Sequence, residues 1–148
     1  DFLGNNWLFY KPGGFSYDSL VRVPMVCSWP GRTPEGQVSE SLVSLVDLAP
    51  TFASLAGVEQ SGGFDGRDLF AGAMQGDQGF RDAMFSERSN SAMIRTRDWK
   101  LIRYSNTEEA ELYNLRDDPG EHENLYGSAG LESITAHLSE RLAQWQSR

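Results

Sequence analysis

The sequence is poor in the residues that usually announce chemistry. Cysteine occurs once, at Cys27, so no internal disulfide can form and no Cys-rich zinc site exists. The two histidines, His122 and His137, are too few and too far apart for a metal cluster. No apolar run approaches the ~20 residues of a membrane-spanning helix. Ser, Asp, Arg or Pro interrupts each stretch within a few positions. Positive charge is in the minority, with 13 Lys and Arg against 21 Asp and Glu and a net charge of -8. That sign repels a phosphate backbone and argues against nucleic acid as a partner, yet it leaves room for a locally positive pocket around a small anion. No Ser stands with a neighbouring His and acid, and there is neither a His-x-x-x-His pair nor a Gly-x-x-x-x-Gly-Lys phosphate loop.

What is present reads as a folded chain. With 148 residues, 39% of them hydrophobic and 23% charged, full disorder is excluded. That length suits one domain or the end of a larger one. The opening Asp1-Phe2-Leu3-Gly4 has neither Met nor a leader, as expected of a chain cut from something longer. Residues 1–20, with Asn5-Asn6-Trp7-Leu8-Phe9-Tyr10-Lys11-Pro12-Gly13-Gly14, are rich enough in Gly and Pro to predict a loop. A buried strand is expected from Pro24 to Trp29, stopped by Pro30-Gly31, and a second short strand over Ser41–Val46. Asp47 then reads as the N-cap of a helix Leu48–Ala56, with Pro50 in its first turn and Gly57 as its C-terminal stop. Residues 59–82 are irregular and Gly-rich.

From residue 83 the pattern changes. Ala83–Ser86, Ala92–Thr96, Trp99–Tyr104 and Glu111–Asn114 predict a small antiparallel sheet, with Thr96-Arg97-Asp98 as a hairpin turn and Asp117-Asp118-Pro119-Gly120 as another. Leu131, Ile134, Leu138, Leu142 and Trp145 recur at steps of three and four and make one helical face, expected to cover the sheet. On the local sequence Lys11 has two readings: a solvated loop lysine, or a cation braced by rings that can hold an oxyanion.

Several segments together resemble one family. Leu3-Gly4, Trp7 to Lys11, Tyr17-Asp18 and Val21-Arg22-Val23-Pro24-Met25 through Trp29-Pro30-Gly31 are similar to the sulfatases, as is Ser44 to Thr51 closing on Leu55-Ala56-Gly57. Asp65-Gly66-Arg67-Asp68-Leu69, Ile94 to Ile102, and Glu111-Leu112-Tyr113-Asn114-Leu115 with Asp117 to Glu121 and Asn124-Leu125 resemble further sulfatase segments, in the family's order. The resemblance implies an α/β protein: residues 1–82 would end an alkaline-phosphatase-like α/β core, and 83–148 would form a C-terminal subdomain of antiparallel strands plus an amphipathic helix. It implies a sulfuric ester hydrolase using a formylglycine nucleophile and Ca2+, both supplied upstream of Asp1. The fragment alone would then be inactive.

In the same resemblance Lys11 aligns with an active-site lysine, whose role is to stabilise sulfate and the leaving oxygen. The implied partners are a sulfated small molecule or sulfated glycan and the missing N-terminal part of the same chain. The implied location is periplasmic or secreted. A phosphoesterase or phosphotransferase of the same superfamily, or an inactive binding module, are the alternatives. Cys27-Ser28-Trp29-Pro30-Gly31-Arg32 has one residue too many for the Cys/Ser-x-Pro-x-Arg modification motif, so Cys27 reads as a buried structural thiol. Asn6 stands where many relatives have His, which removes a titratable group and bears on substrate choice. Arg22 is expected to form an internal ion pair or hydrogen bonds at the strand entrance and His122 to lie on the surface, with His137 half exposed. Glu87 and Arg88 are candidates to reach a pocket mouth.

Overall fold

The structure is a computed structural model and describes residues 16–58, 63–75, 79–88, 90–105 and 107–148. These fall into two compact units. One joins residues 16–24 to Phe85–Arg148, and the other is Met25–Met84.

The first unit is built on a four-stranded sheet in the order β1 (Met84–Arg88), β2 (Ser91–Arg95), β3 (Trp99–Tyr104), β4 (Ala110–Asn114). β2 pairs antiparallel with β3 and β3 with β4, in a register that sets Met93 beside Ile102 and Lys100 beside Tyr113. The hairpin turn forms where Thr96-Arg97-Asp98 predicts it, closed by the Thr96 amide on the Trp99 carbonyl at 2.8 Å. Side chains alternate between faces along each strand. One face carries Ile94, Leu101 and Leu112, all without exposed surface. Helix α3 (Glu132–Gln146) packs against β2 and β3 and buries Leu138 and Leu142, as its periodicity requires. Trp145 at its end stacks on Phe85, with ring centroids 5.2 Å apart.

The opposite face carries Met93, Arg95, Lys100, Ile102, Tyr104, Glu111 and Tyr113. It is covered by residues 16–21, which include the single-turn helix α1 (Asp18–Val21). Tyr17 joins Met93, Ile102, Tyr113 and Leu115 in one apolar cluster, flanked by Leu20 and Val21. The sheet is thus a middle layer, with a helix on one side and the early chain on the other.

In the second unit a 3-10 turn, Leu45–Asp47, leads into helix α2 (Leu48–Leu55), which ends at Gly57 with φ +71. That positive φ is why glycine suits the stop. Leu69, Ala73 and Phe80 form its core.

Three expectations need correction. Pro24–Trp29 forms no strand, and Val26 is 93% exposed. An apolar run without alternation suits a strand buried on both faces, but no described segment pairs with it, and an unpaired run cannot form a ladder. Cys27, within it, is exposed and not a buried thiol. Ser41–Val46 is likewise no strand. Its end tightens into the 3-10 turn because the Asp47 amide bonds back to the Ser44 carbonyl at 3.0 Å.

The Asp65–Leu69 segment has a packing explanation. A Cβ on Gly66 would stand 2.1 Å from the Val46 carbonyl oxygen, so only glycine lets the two backbones approach this closely. Gly66→Ala is expected to destabilise this unit by ~1–3 kcal/mol or more, the range for overpacking. Urea denaturation of the protein checks it, and an unchanged midpoint would contradict the close approach.

Candidate functional site

Lys11, the one catalytic residue that the sequence suggests, lies outside the described residues, together with Asn6. What the structure describes is the frame that begins at Ser16. Lys100 points inward from the middle strand and is fully buried. Its ammonium donates to the Ser16 carbonyl at 3.1 Å, to Glu121 Oε1 at 2.5 Å and to Asp18 Oδ1. Three N–H donors therefore meet three oxygens. Arg95 reaches Asp18 Oδ2 at 3.1 Å, and Glu121 Oε2 accepts the Asp18 amide at 2.6 Å. The two cations balance the two carboxylates.

Burial works to raise the Asp18 pKa, but Lys100 and Arg95 outweigh it and hold the carboxyl below its ordinary value. Glu121 goes the other way: its burial exceeds the pull of Lys100 and pushes it up. Glu121 also sits at φ 57, the left-handed region that a non-glycine residue occupies at a cost of order 1–3 kcal/mol. The turn at Pro119-Gly120 and the ion pair hold it there.

At the other end of the same face Glu111 collects three phenols. It accepts the hydroxyls of Tyr104 at 2.8 Å, Tyr113 at 2.9 Å and Tyr17 at 3.4 Å. Burial, followed by the nearby Glu111 charge, pushes all three phenol pKa values up, so each stays a donor.

The remaining candidates are structural or exposed. Asp47 stands at the start of α2, but its side chain does not cap that helix. It closes a capping box with Ser44, accepts the Arg67 amide at 2.8 Å and is gripped by both Arg81 nitrogens at 2.7 and 2.9 Å. This is a bidentate pair with the carboxylate fully buried. Arg22 is exposed and makes no side-chain ion pair among the described residues. His122 is exposed and sits on Asp118 at 3.0 Å. His137, Glu87 and Arg88 are exposed as well.

No group of three His, Cys, Asp or Glu suited to a metal ion occurs among the described residues. The buried carboxylates Glu121 and Asp47 and the half-buried Asp18 already face cations, so they do not fit a Ca2+ site. Cys27 does not fit the formylglycine motif. No described helix is long and apolar enough to cross a membrane.

Sequence reasoning missed the Lys100 cluster. Its signal was alternation: Lys100 shares a face with Ile102, so a lysine two residues from a core isoleucine had to turn inward.

Comparison with known proteins fits this architecture. Residues 5–148 match the family model described as N-sulphoglucosamine sulphohydrolase, C-terminal, and the chain belongs to the sulfatase family. An N-acetylglucosamine-6-O-sulfatase of Bacteroides thetaiotaomicron is 31% identical over 98% of this chain and 28% of its own length. A solved protein in complex with its substrate D-glucosamine-2-N,6-O-disulfate shares 30% identity and a TM-score of 0.59, over 68% of this chain and 23% of that one. A phosphonate monoester hydrolase of Silicibacter pomeroyi has the same fold, with a TM-score of 0.67 at 22% identity over 80% of this chain and 28% of that one. The chain therefore spans about a quarter of the length of such relatives.

Asp47 tests the electrostatics of the second unit. Its folded pKa is depressed, with burial opposing and Arg81 and backbone amides prevailing. Its contribution to stability is then complete above the ordinary Asp value of about 4 and is lost as pH falls through the lower folded value. Arg81→Met is expected to cost ~3–5 kcal/mol at pH 7, since it strands a buried carboxylate, and less below pH ~3. Denaturant melts at the two pH values check this, and a loss independent of pH would contradict it.

Proposed function

We propose that the full-length protein hydrolyses a sulfate ester, with this chain supplying the end of the catalytic α/β domain (residues 1–82) and its C-terminal subdomain (83–148). The family match across residues 5–148 carries the reading. Exposed apolar side chains support it. Met25, Val26 and Val38 are 41%, 93% and 85% exposed on the unit that contains them, a surface that the rest of the chain would cover. The substrate of choice is a sulfated glycan, because one relative is a 6-O-sulfatase of N-acetylglucosamine and one structural neighbour binds a sulfated glucosamine.

Within this chain the reacting group is Lys11. A lysine ammonium is a compact charge with three donors. Beside a sulfate it stabilises the anion and the charge that grows on the leaving oxygen. The family's formylglycine and Ca2+ would supply the nucleophile and further charge neutralisation from residues upstream, and the described residues take no part in holding them.

A phosphoesterase remains the second reading on one observation, the shared fold of the phosphonate monoester hydrolase. Relative kcat/KM on matched aryl sulfate and aryl phosphate esters decides between them. A preference for phosphate would overturn the sulfatase reading. Removing one preorganised donor costs ~2.7–4 kcal/mol of barrier, so Lys11→Ala in the full-length protein is expected to lower kcat on a sulfate ester at least ~10-fold without changing the melting temperature. Unchanged kinetics would remove Lys11 from the site. Residues 1–148 alone are expected to show no aryl sulfate hydrolysis, and measurable turnover would contradict the division of labour.

A further inference from the structure

We propose that Arg32, stacked on Trp29, binds a sulfate group of the glycan substrate, a proposal that rests on the sulfated-glycan reading of the protein's function.

The first observation is a cation left over on an acidic chain. Acidic side chains outnumber basic ones by 21 to 13. Arg81, Arg95, Lys100 and Arg116 are each ion-paired, but Arg32 makes no ion pair among the described residues. It is exposed. Its guanidinium lies instead over the Trp29 ring, 5.2 Å from the centroid, within the ~6 Å reach of a cation–π contact. Stacking occupies the flat face of the guanidinium. The N–H donors point outward in its plane and stay free for a ligand.

The platform beneath it is held in place. Trp29 meets Phe70 edge-on, with ring centroids 5.8 Å apart and planes at 77°, an arrangement that aromatic pairs prefer. Phe70 is half-buried and follows Leu69 of the core. The Trp29 carbonyl accepts the amides of Arg32 and Thr33, both at 2.9 Å. Thr33 Oγ1 accepts the Trp29 amide at 2.8 Å and donates to the Trp29 carbonyl at 3.1 Å. Gly31, at φ +77, lets the chain turn back so that residue 32 comes over residue 29. Both side chains therefore leave one closed turn, within the unit Met25–Met84. Trp29 keeps 37% of its surface exposed. Its hydrogen bonds are main-chain ones, so the indole N–H is a second free donor beside the guanidinium.

This pair matches a sulfated sugar. A guanidinium fork meets two oxygens of a tetrahedral oxyanion at once. The ring beneath already restricts the arginine side chain, which lowers the entropy lost on binding. An indole offers an apolar body for the C–H surface of a sugar and a polar N–H for its oxygens. A chain with net charge -8 repels a polyanion at long range, so a sulfated glycan needs a local cation whose charge is not already neutralised.

The test is affinity, measured on the full-length protein. Interferometry on an immobilised heparin hexasaccharide gives Kd, the same hexasaccharide stripped of sulfate is the comparison, and thermal melts run alongside. Arg32→Gln is expected to weaken binding of the sulfated hexasaccharide about tenfold, the loss of a charge-assisted hydrogen bond. The melting temperature and the affinity for the desulfated sugar should not change. Arg32→Lys keeps the charge without the planar fork and is expected to bind at least about threefold more weakly than the unaltered protein.

Native affinity in Arg32→Gln would overturn the proposal, as would equal losses on the sulfated and desulfated sugars. Lost affinity with a lowered melting temperature would assign Arg32 to the protein's own packing and overturn it too. Native affinity in Arg32→Lys would do the same, because bare charge would then suffice. An unaltered protein that binds the sulfated hexasaccharide no better than the desulfated one also contradicts it. Failure of the sulfatase reading shows separately, as absent turnover of 4-nitrophenyl sulfate by the unaltered protein.

Discussion

One ammonium group, shut in between two carboxylates and a carbonyl, determines how the early chain meets the sheet. Lys100 has three donors and three oxygen partners, and those partners come from residues 16, 18 and 121. Local structure could not produce this arrangement. It joins a strand to a segment more than eighty positions earlier and to a turn twenty-one positions later. Losing Lys100 would leave the Glu121 carboxylate in a dry interior without its cation.

The two faces of the sheet show the contrast. Toward α3 the contacts are aliphatic and graded: Ile94, Leu101 and Leu112 meet a helix that buries Leu138 and Leu142. A methylene lost there costs stability and little else. Toward residues 16–21 the face is polar at both ends, with the Lys100 cluster at one and the Glu111 tyrosines at the other, and apolar between. Ion pairs and charge-assisted hydrogen bonds add direction and distance to what packing supplies. A face built in this way specifies one placement of the covering segment.

Much of the fold was legible. The third strand, the turn at Thr96-Arg97-Asp98, the glycine stop at Gly57 and the helical face from Leu131 to Trp145 follow from period and turn chemistry, and the structure has them. The two strand expectations that failed share one cause. Neither Pro24–Trp29 nor Ser41–Val46 has a described strand to pair with, and Val26, Leu45 and Val46 lie exposed although Val43 and Trp29 find apolar neighbours. Asp47 failed differently. Its position before a helix suggested a cap, but Arg81, thirty-four residues on, competes for the carboxylate and wins with two charge-assisted bonds. Lys100 was passed over because a charged residue is assumed to be outside, although its neighbours at alternate positions are core. The family segments around Gly66 and Glu121 were recognisable as sulfatase sequence. Their physical meaning, a backbone approach at Gly66 and an ion-paired turn at Glu121, lies in contacts between residues far apart in sequence.

The Lys100 cluster ties residues 16–18 to the sheet, so they should be held as firmly as its strands. Hydrogen exchange followed by mass spectrometry on the full-length protein measures that directly, because the amides of Asp18, Leu20 and Val21 are all hydrogen-bonded within this frame. Peptides spanning these amides are expected to exchange as slowly as those of the third strand. Exchange at the rate of an unstructured loop, with the strand still protected, would contradict it.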